Sequence, residues 1–314
     1  MYFNKIKHIS IHTVFKSTTY FIKPNFNTLT FRIIPLFIAT VLAFTFTSCA
    51  FKRVSRSKNI TYLNADTAAN RTAQDLNIFA PRKHSAAKDV FVFIYGGTWN
   101  SGKKSMYNFL GNRMARKDVV TVVIDYPKSP KSNYNEMATD AAKAIKWVKD
   151  NIAPYGGNPD KIFVSGHSAG GHLAALISVR DDYFGKLGIA NPIKGTILID
   201  AAGLDMYSFL KQGNYLNDNT YIQTFTNNPD DWRAGSPLYH LHKGMPPMLI
   251  YVGGRTYPSI KLGNDRLVAG LKKLDYTPNY YILERKKHKP MITQFLNSGN
   301  RRYKEITSFM RISK

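Results

Sequence analysis

Cysteine and negative charge are the two scarce resources of this 314-residue chain. Cys49 is the single cysteine, which excludes an intrachain disulfide and any zinc site built from several thiolates. Asp and Glu number 20 against 44 Lys and Arg, for a net charge of +24, and no acid precedes Asp66. Long apolar runs are also missing: the clearest, Ile33 to Thr47, falls short of the ~20 residues that span a bilayer. Hydrophobic residues nevertheless make up 44% of the chain and aromatics 13%, so a disordered chain is excluded. The length fits one large α/β domain or two small ones. The positive balance does not point to nucleic acid, because the cations are dispersed and no nucleic-acid motif is present.

The N-terminus reads as an export signal. Lys5, Lys7, Lys16, Lys23 and Arg32 precede the apolar run, which ends Phe46-Thr47-Ser48-Cys49. A cationic region, a short apolar stretch and small residues form a secretory signal. Small residues directly before a lone cysteine resemble a bacterial lipobox. The expectation is a signal peptide over 1–48, a lipidated Cys49, a tether over 49–58 and a folded domain over 59–314. The domain is then a membrane-anchored lipoprotein of the cell envelope, facing the periplasm or exterior. The membrane surface is a partner through the lipid, helped by the positive charge.

Past the tether, strand-like runs alternate with helical ones. Strands are expected at Ile60–Leu63, Leu76–Phe79, Val90–Tyr95, Val119–Asp125, Ile162–Ser165, Ile197–Asp200, Met248–Val252 and Asn279–Leu283. Several are continuous apolar runs, the pattern of strands covered on both faces. Helices are expected at Glu136 to Asn151, Leu262 to Leu274 and Tyr303 to Arg311. The alternation implies an α/β fold, a mostly parallel central sheet with helices on both faces. Gly203 to Asp231 lacks clear periodicity and is the candidate lid or insertion.

Gly166-His167-Ser168-Ala169-Gly170 follows the strand Ile162–Ser165 and precedes an apolar helix. A nucleophilic serine needs an exposed hydroxyl, a base and N–H groups aimed at the developing oxyanion. A sharp strand-to-helix turn flanked by glycines supplies the first. Ser168 is the candidate nucleophile. Tyr95-Gly96-Gly97-Thr98-Trp99 also follows a strand, and its paired glycines permit close backbone approach. The N–H groups of Gly97 or Thr98, with that of Ala169, are the candidate oxyanion hole. Chain order in such an architecture puts the base after the last strand, which selects His288. His240 and His242 are second choices, and His167 and His172 read as packing residues. The orienting acid is the weak point. The segment after Met248–Val252 runs Gly253-Gly254-Arg255-Thr256-Tyr257-Pro258, with Thr256 where an acid is expected. Asp205 ranks first as a replacement, ahead of Asp265 and Glu284, with an acid-free dyad close behind.

Together these segments resemble the α/β-hydrolase superfamily, and within it the hormone-sensitive-lipase-like and arylformamidase-like bacterial carboxylesterases of feruloyl and acetyl esterase type. Asp75 to Pro81, Tyr95 to Trp99, Asp125-Tyr126-Pro127, Tyr155 to Asp160, the Ser168 elbow and the His288 segment occur in the family's order. Tyr95 replaces a histidine usual in the family. The resemblance implies hydrolysis of small-molecule esters through an acyl-enzyme, with no metal and no cofactor. Two other functions compete: a non-catalytic binding module, and a lipase or phospholipase.

Overall fold

The computed structural model describes residues 54–68, 71–82, 86–213 and 219–313. The expected signal peptide over 1–48 and Cys49 lie outside them. Among the described residues eight strands form one sheet: β1 (Val54–Leu63), β2 (Gln74–Pro81), β3 (Lys88–Ile94), β4 (Val120–Ile124), β5 (Gly157–His167), β6 (Ile193–Ile199), β7 (Met248–Gly253) and β8 (Asn279–Leu283). Their spatial order is β1-β2-β4-β3-β5-β6-β7-β8. β1 and β2 run antiparallel to their neighbours, and from β4 to β8 every pairing is parallel. The α/β expectation and all eight strand positions hold.

One boundary moves. β1 starts at Val54, inside the span expected to be a tether, and pairs with β2 from Val54↔Pro81 onward. This edge strand mixes half-buried and exposed residues, none fully buried, and has no apolar run to announce it. Its backbone is held by ladder hydrogen bonds, which composition does not reveal.

The helices are α1 (Asn108–Ala115), α2 (Tyr134–Asn151), α3 (Ala169–Val179), α4 (Asp182–Gly185), α5 (Met206–Lys211), α6 (Asn219–Phe225), α7 (Pro229–Ala234), α8 (Pro258–Lys273), α9 (His288–Thr293) and α10 (Arg302–Ile312). α2 begins two residues before its expected start because Asn133 caps it. The Asn133 side chain accepts from the Asn135 and Glu136 N–H groups, and Glu136 accepts from the Asn133 N–H at 2.8 Å. The presumed lid region is built from short α5, α6 and α7. Asp205 and Asn228 cap the first and last of these, and two or fewer turns leave no long period to detect.

The core lies on both faces of the sheet. Val90 to Ile94 of β3 and all of β4 are fully buried, and α3 is buried along its whole length. In such sheets the loops beyond the carboxyl ends of the parallel strands form the crevice. Here the segments after β3, β5, β6, β7 and β8 meet at that edge. Among the described residues no helix is long and apolar enough to cross a membrane.

Candidate active site

β5 lies inside the parallel set, flanked by β3 and β6, and the chain turns sharply as it leaves. Ser168 takes φ 56° and ψ −124°, a conformation strained for any side-chain-bearing residue. The turn is tight enough to dictate the glycines around it. A Cβ on Gly170 stands 2.1 Å from the Ile94 carbonyl oxygen, and one on Gly96 stands 2.6 Å from that of His167. No larger residue lets the β3 loop and the β5 turn approach this closely.

His288, the first residue of α9, accepts the Ser168 hydroxyl at 2.9 Å through Nε2. Its Nδ1 lies 2.6 Å from Oδ2 of Asp200, directly after β6. Asp200 is fully buried. A carboxylate can only accept, so Nδ1 carries the hydrogen and Nε2 keeps a lone pair for the serine proton. Two further donors hold the carboxylate: the Gly253 N–H at 2.8 Å, and the Thr256 hydroxyl in a very short contact. Three hydrogen bonds compensate the burial of this charge.

The expected acid is therefore corrected: Asp200, not Asp205, orients His288. Asp205 lines the same cavity but is engaged elsewhere. Its Oδ1 accepts from the Ser208 N–H and the Tyr239 hydroxyl, and its Oδ2 pairs with Arg266 at 2.5 Å. Asp265 takes the Tyr280 hydroxyl at 2.6 Å, and Glu284 is exposed. Thr256, which stands where the acid was sought, supports the acid from the neighbouring strand end. The sequence did carry a signal. Asp200 ends an otherwise apolar, buried strand, Ile197-Leu198-Ile199, and a charge placed there needs a partner.

Gly97, Thr98 and Ser168 all line one cavity, and Ala169 follows the serine as the first residue of α3. Among the described residues the N–H groups of Gly97, Thr98 and Ala169 have no protein acceptor. Thr98 and Trp99 adopt φ of 50° and 58°. Their loop is clamped at both ends. The Tyr95 hydroxyl donates to Asp125 at 3.0 Å, and Lys104 pairs with the same carboxylate at 2.6 Å. Burial pushes the Tyr95 hydroxyl well above its usual 10, so it stays a donor. At the far end the Trp99 indole N–H donates to His172 Nδ1 at 3.2 Å, and His172 Nε2 donates to the Gly235 carbonyl at 2.6 Å.

Burial lowers His167 and His172, on either side of Ser168, to about 4. His167 stacks on His288 with ring centroids 4.7 Å apart and is further depressed by that neighbour's charge. Held neutral, it adds no second positive charge beside the base. His240 bonds the Ala234 carbonyl at 2.9 Å and His242 the Lys243 carbonyl, and neither contacts Ser168.

The cavity measures about 780 Å³. Met106, Tyr107, Phe209, Tyr221, Tyr257 and Ile292 give it a largely apolar wall. Phe209 and Tyr221 belong to the α5–α6 region, which closes one side. Among the described residues no group of three His, Cys, Asp or Glu is arranged to hold a metal ion.

The chain is 26% identical over 238 residues to the probable isoprenylcysteine alpha-carbonyl methylesterase ICMEL1 of Arabidopsis thaliana, covering 70% of this chain and 49% of that protein. It is 31% identical over 175 residues to esterase LipQ of Mycobacterium tuberculosis, covering 52% and 41%. The chain thus spans about half or less of these curated relatives. In fold it is similar to an inhibited esterase B from Lactobacillus rhamnosis, with a TM-score of 0.68 at 16% identity, covering 90% of this chain and 96% of that one. With the BD-FAE family model matching residues 76–261, from β2 through the Ser168 turn and Asp200 into α8, the chain belongs to the BD-FAE family.

Proposed function

We propose that the protein is a serine carboxylesterase that hydrolyses small acyl esters. The observation that carries this reading is the unbroken relay from Ser168 through His288 to Asp200, at 2.9 and 2.6 Å, opening into an apolar cavity. The Ser168 oxygen attacks the ester carbonyl carbon while its proton passes to His288 Nε2. Asp200 keeps Nδ1 protonated and stabilises the imidazolium. The N–H groups of Gly97, Thr98 and Ala169 receive the oxyanion. Collapse expels the alcohol, which takes the proton from His288, and leaves an acyl group on Ser168. Water, deprotonated by His288, then releases the acid. The esterase names of the relatives support the same chemistry.

The binding-module alternative loses its main support, which was a missing acid. A fluorophosphonate probe tests the reading directly. It is expected to label the full chain once, on the peptide that carries Ser168, and to block ester hydrolysis in proportion. A chain left unlabelled and inactive while folded contradicts it.

We also propose that residues 1–48 direct export and that Cys49 carries the lipid anchor, placing the domain at a membrane surface of the cell envelope. The support is the cationic region, the short apolar run and the small residues before Cys49. Radiolabelled palmitate is expected to enter the full chain and to be lost in Cys49→Ser.

A further inference from the structure

Asp205, the acid among the residues lining the cavity, is already paired with Arg266. Elsewhere some cations have acidic partners, among them Lys88 with Asp118, Lys146 with Asp150, Lys149 with Asp160 and Lys243 with Asp275, and scattered others, such as Lys103, Lys131 and Lys194, form no ion pair among the described residues. Two loops concentrate unpaired cations beside the cavity. The segment after β7 (253–257) and the segment after β8 (284–287), which runs directly into His288 and Lys289, lie side by side. The Arg255 N–H donates to the Lys286 carbonyl at 3.0 Å and the Gly254 N–H to the Leu283 carbonyl at 2.9 Å. Together they carry Arg255, Arg285, Lys286, Lys287 and Lys289 against one acid, Glu284. Among the described residues none of these five cations forms an ion pair. All but Lys286 are exposed.

The location matters as much as the charge. These loops bear the base itself and Tyr257, whose ring centre is 5.2 Å from that of His288. Tyr257, His288 and Lys289 all line the cavity, and Tyr257 is 59% exposed at its edge. A substrate entering beside His288 passes an aromatic face and a field of one sign. Uncompensated charge at the rim of a low-dielectric cleft raises the local concentration of the opposite charge.

Building on the esterase reading, we propose that the preferred substrates are esters bearing an anionic group, a carboxylate, sulfate or phosphate, on the part of the molecule that projects past Tyr257 to the Lys289 rim. Lys289 contacts that group, and Arg255, Arg285, Lys286 and Lys287 steer it. A lone exposed pair is weak, but several uncompensated cations add up to about a tenfold preference at low salt.

The test compares para-acetoxybenzoate with its neutral methyl ester, each corrected for its alkaline hydrolysis rate. At ~10 mM salt the full chain is expected to favour the anionic ester by about tenfold in kcat/KM, and at ~1 M salt the preference vanishes as screening shortens to a few ångströms. Charge reversal by Lys287→Glu with Lys289→Glu is expected to bring the ratio to one or below. The neutral ester reports folding and chemistry in the same sample. A ratio at or below one in the parent chain, or a ratio untouched by the reversal, overturns the proposal while leaving the esterase intact. Anionic vesicles are the third arm: if they accelerate the neutral ester and the free anionic ester gains nothing, the rim reads a lipid surface and the substrate assignment is wrong. Failure of both esters, with no fluorophosphonate labelling, removes the esterase reading and this one with it.

Discussion

Replacing Asp200 by Asn separates the two carboxylates near the base. The Asp200 side chain receives three donors, from Gly253, Thr256 and His288. Asparagine offers one acceptor oxygen and one NH2 group. If its oxygen keeps the Gly253 N–H, its NH2 group faces His288 Nδ1. The imidazole must then accept at Nδ1 and carry its hydrogen on Nε2, which points a proton at the Ser168 hydroxyl instead of a lone pair. The base is lost without losing the side chain. The corresponding change in a well-studied serine protease lowers kcat by about 10⁴, or about 5 kcal/mol of transition-state stabilisation. Asp200→Asn is expected to fall by a similar factor, read as kcat for an aryl acetate above neutral pH. Asp205→Asn removes the charge that pairs with Arg266 but keeps an oxygen to cap the helix, and is expected to stay within a few-fold in kcat while losing about 1 kcal/mol of stability or less. Asp200→Asn within tenfold of the parent, or Asp205→Asn falling by several orders of magnitude in a folded protein, refutes the assignment.

Other consequences are more local. Thr256→Val removes one of the three donors to the buried carboxylate while keeping the side chain's shape. A hydrogen bond to a charged group contributes about 1.5–3 kcal/mol, so kcat is expected to drop by about ten- to a hundredfold with KM little changed. His167 and His172 govern acid stability. Both sit at about 4 when folded, against 6.5 when exposed, so the unfolded chain binds more protons between those values. Stability therefore rises with pH through that window and is lost as pH falls from 6.5 to 4, by up to about 3 kcal/mol per histidine, with no further loss from these groups below 4. Denaturant melts at several pH values check it. His172→Gln is expected to flatten the slope by about one proton, and an unchanged slope contradicts the assignment.

The sequence was most legible where burial enforces a pattern. Parallel strands covered on both faces read as apolar runs where they are buried, so the buried stretches of β3 to β7 stand out. The Ser168 turn was equally plain, because its backbone geometry tolerates only glycine at Gly170 and at the facing Gly96. β1 was half-hidden, since ladder bonding at a sheet edge demands no apolar run. Asp200 was missed for a different reason. Chain position alone puts the acid after β7, whereas orienting His288 requires only that a carboxylate reach its Nδ1. The end of β6 lies next to the end of β7 in the sheet, and Thr256 bridges the gap by donating to Asp200. Spatial adjacency of strand ends replaced sequence order, and only the pairing of β6 with β7 makes that visible.

The central claim is that Ser168 is the nucleophile of an ester hydrolase. The most direct measurement is the hydrolysis of para-nitrophenyl acetate by the full chain and by Ser168→Ala, side by side, with thermal melts to show that both are folded. The account predicts turnover in the parent and a loss of at least about 10⁴-fold in the variant, because the oxyanion donors alone retain only a small fraction of the rate. Equal rates in the two proteins contradict it.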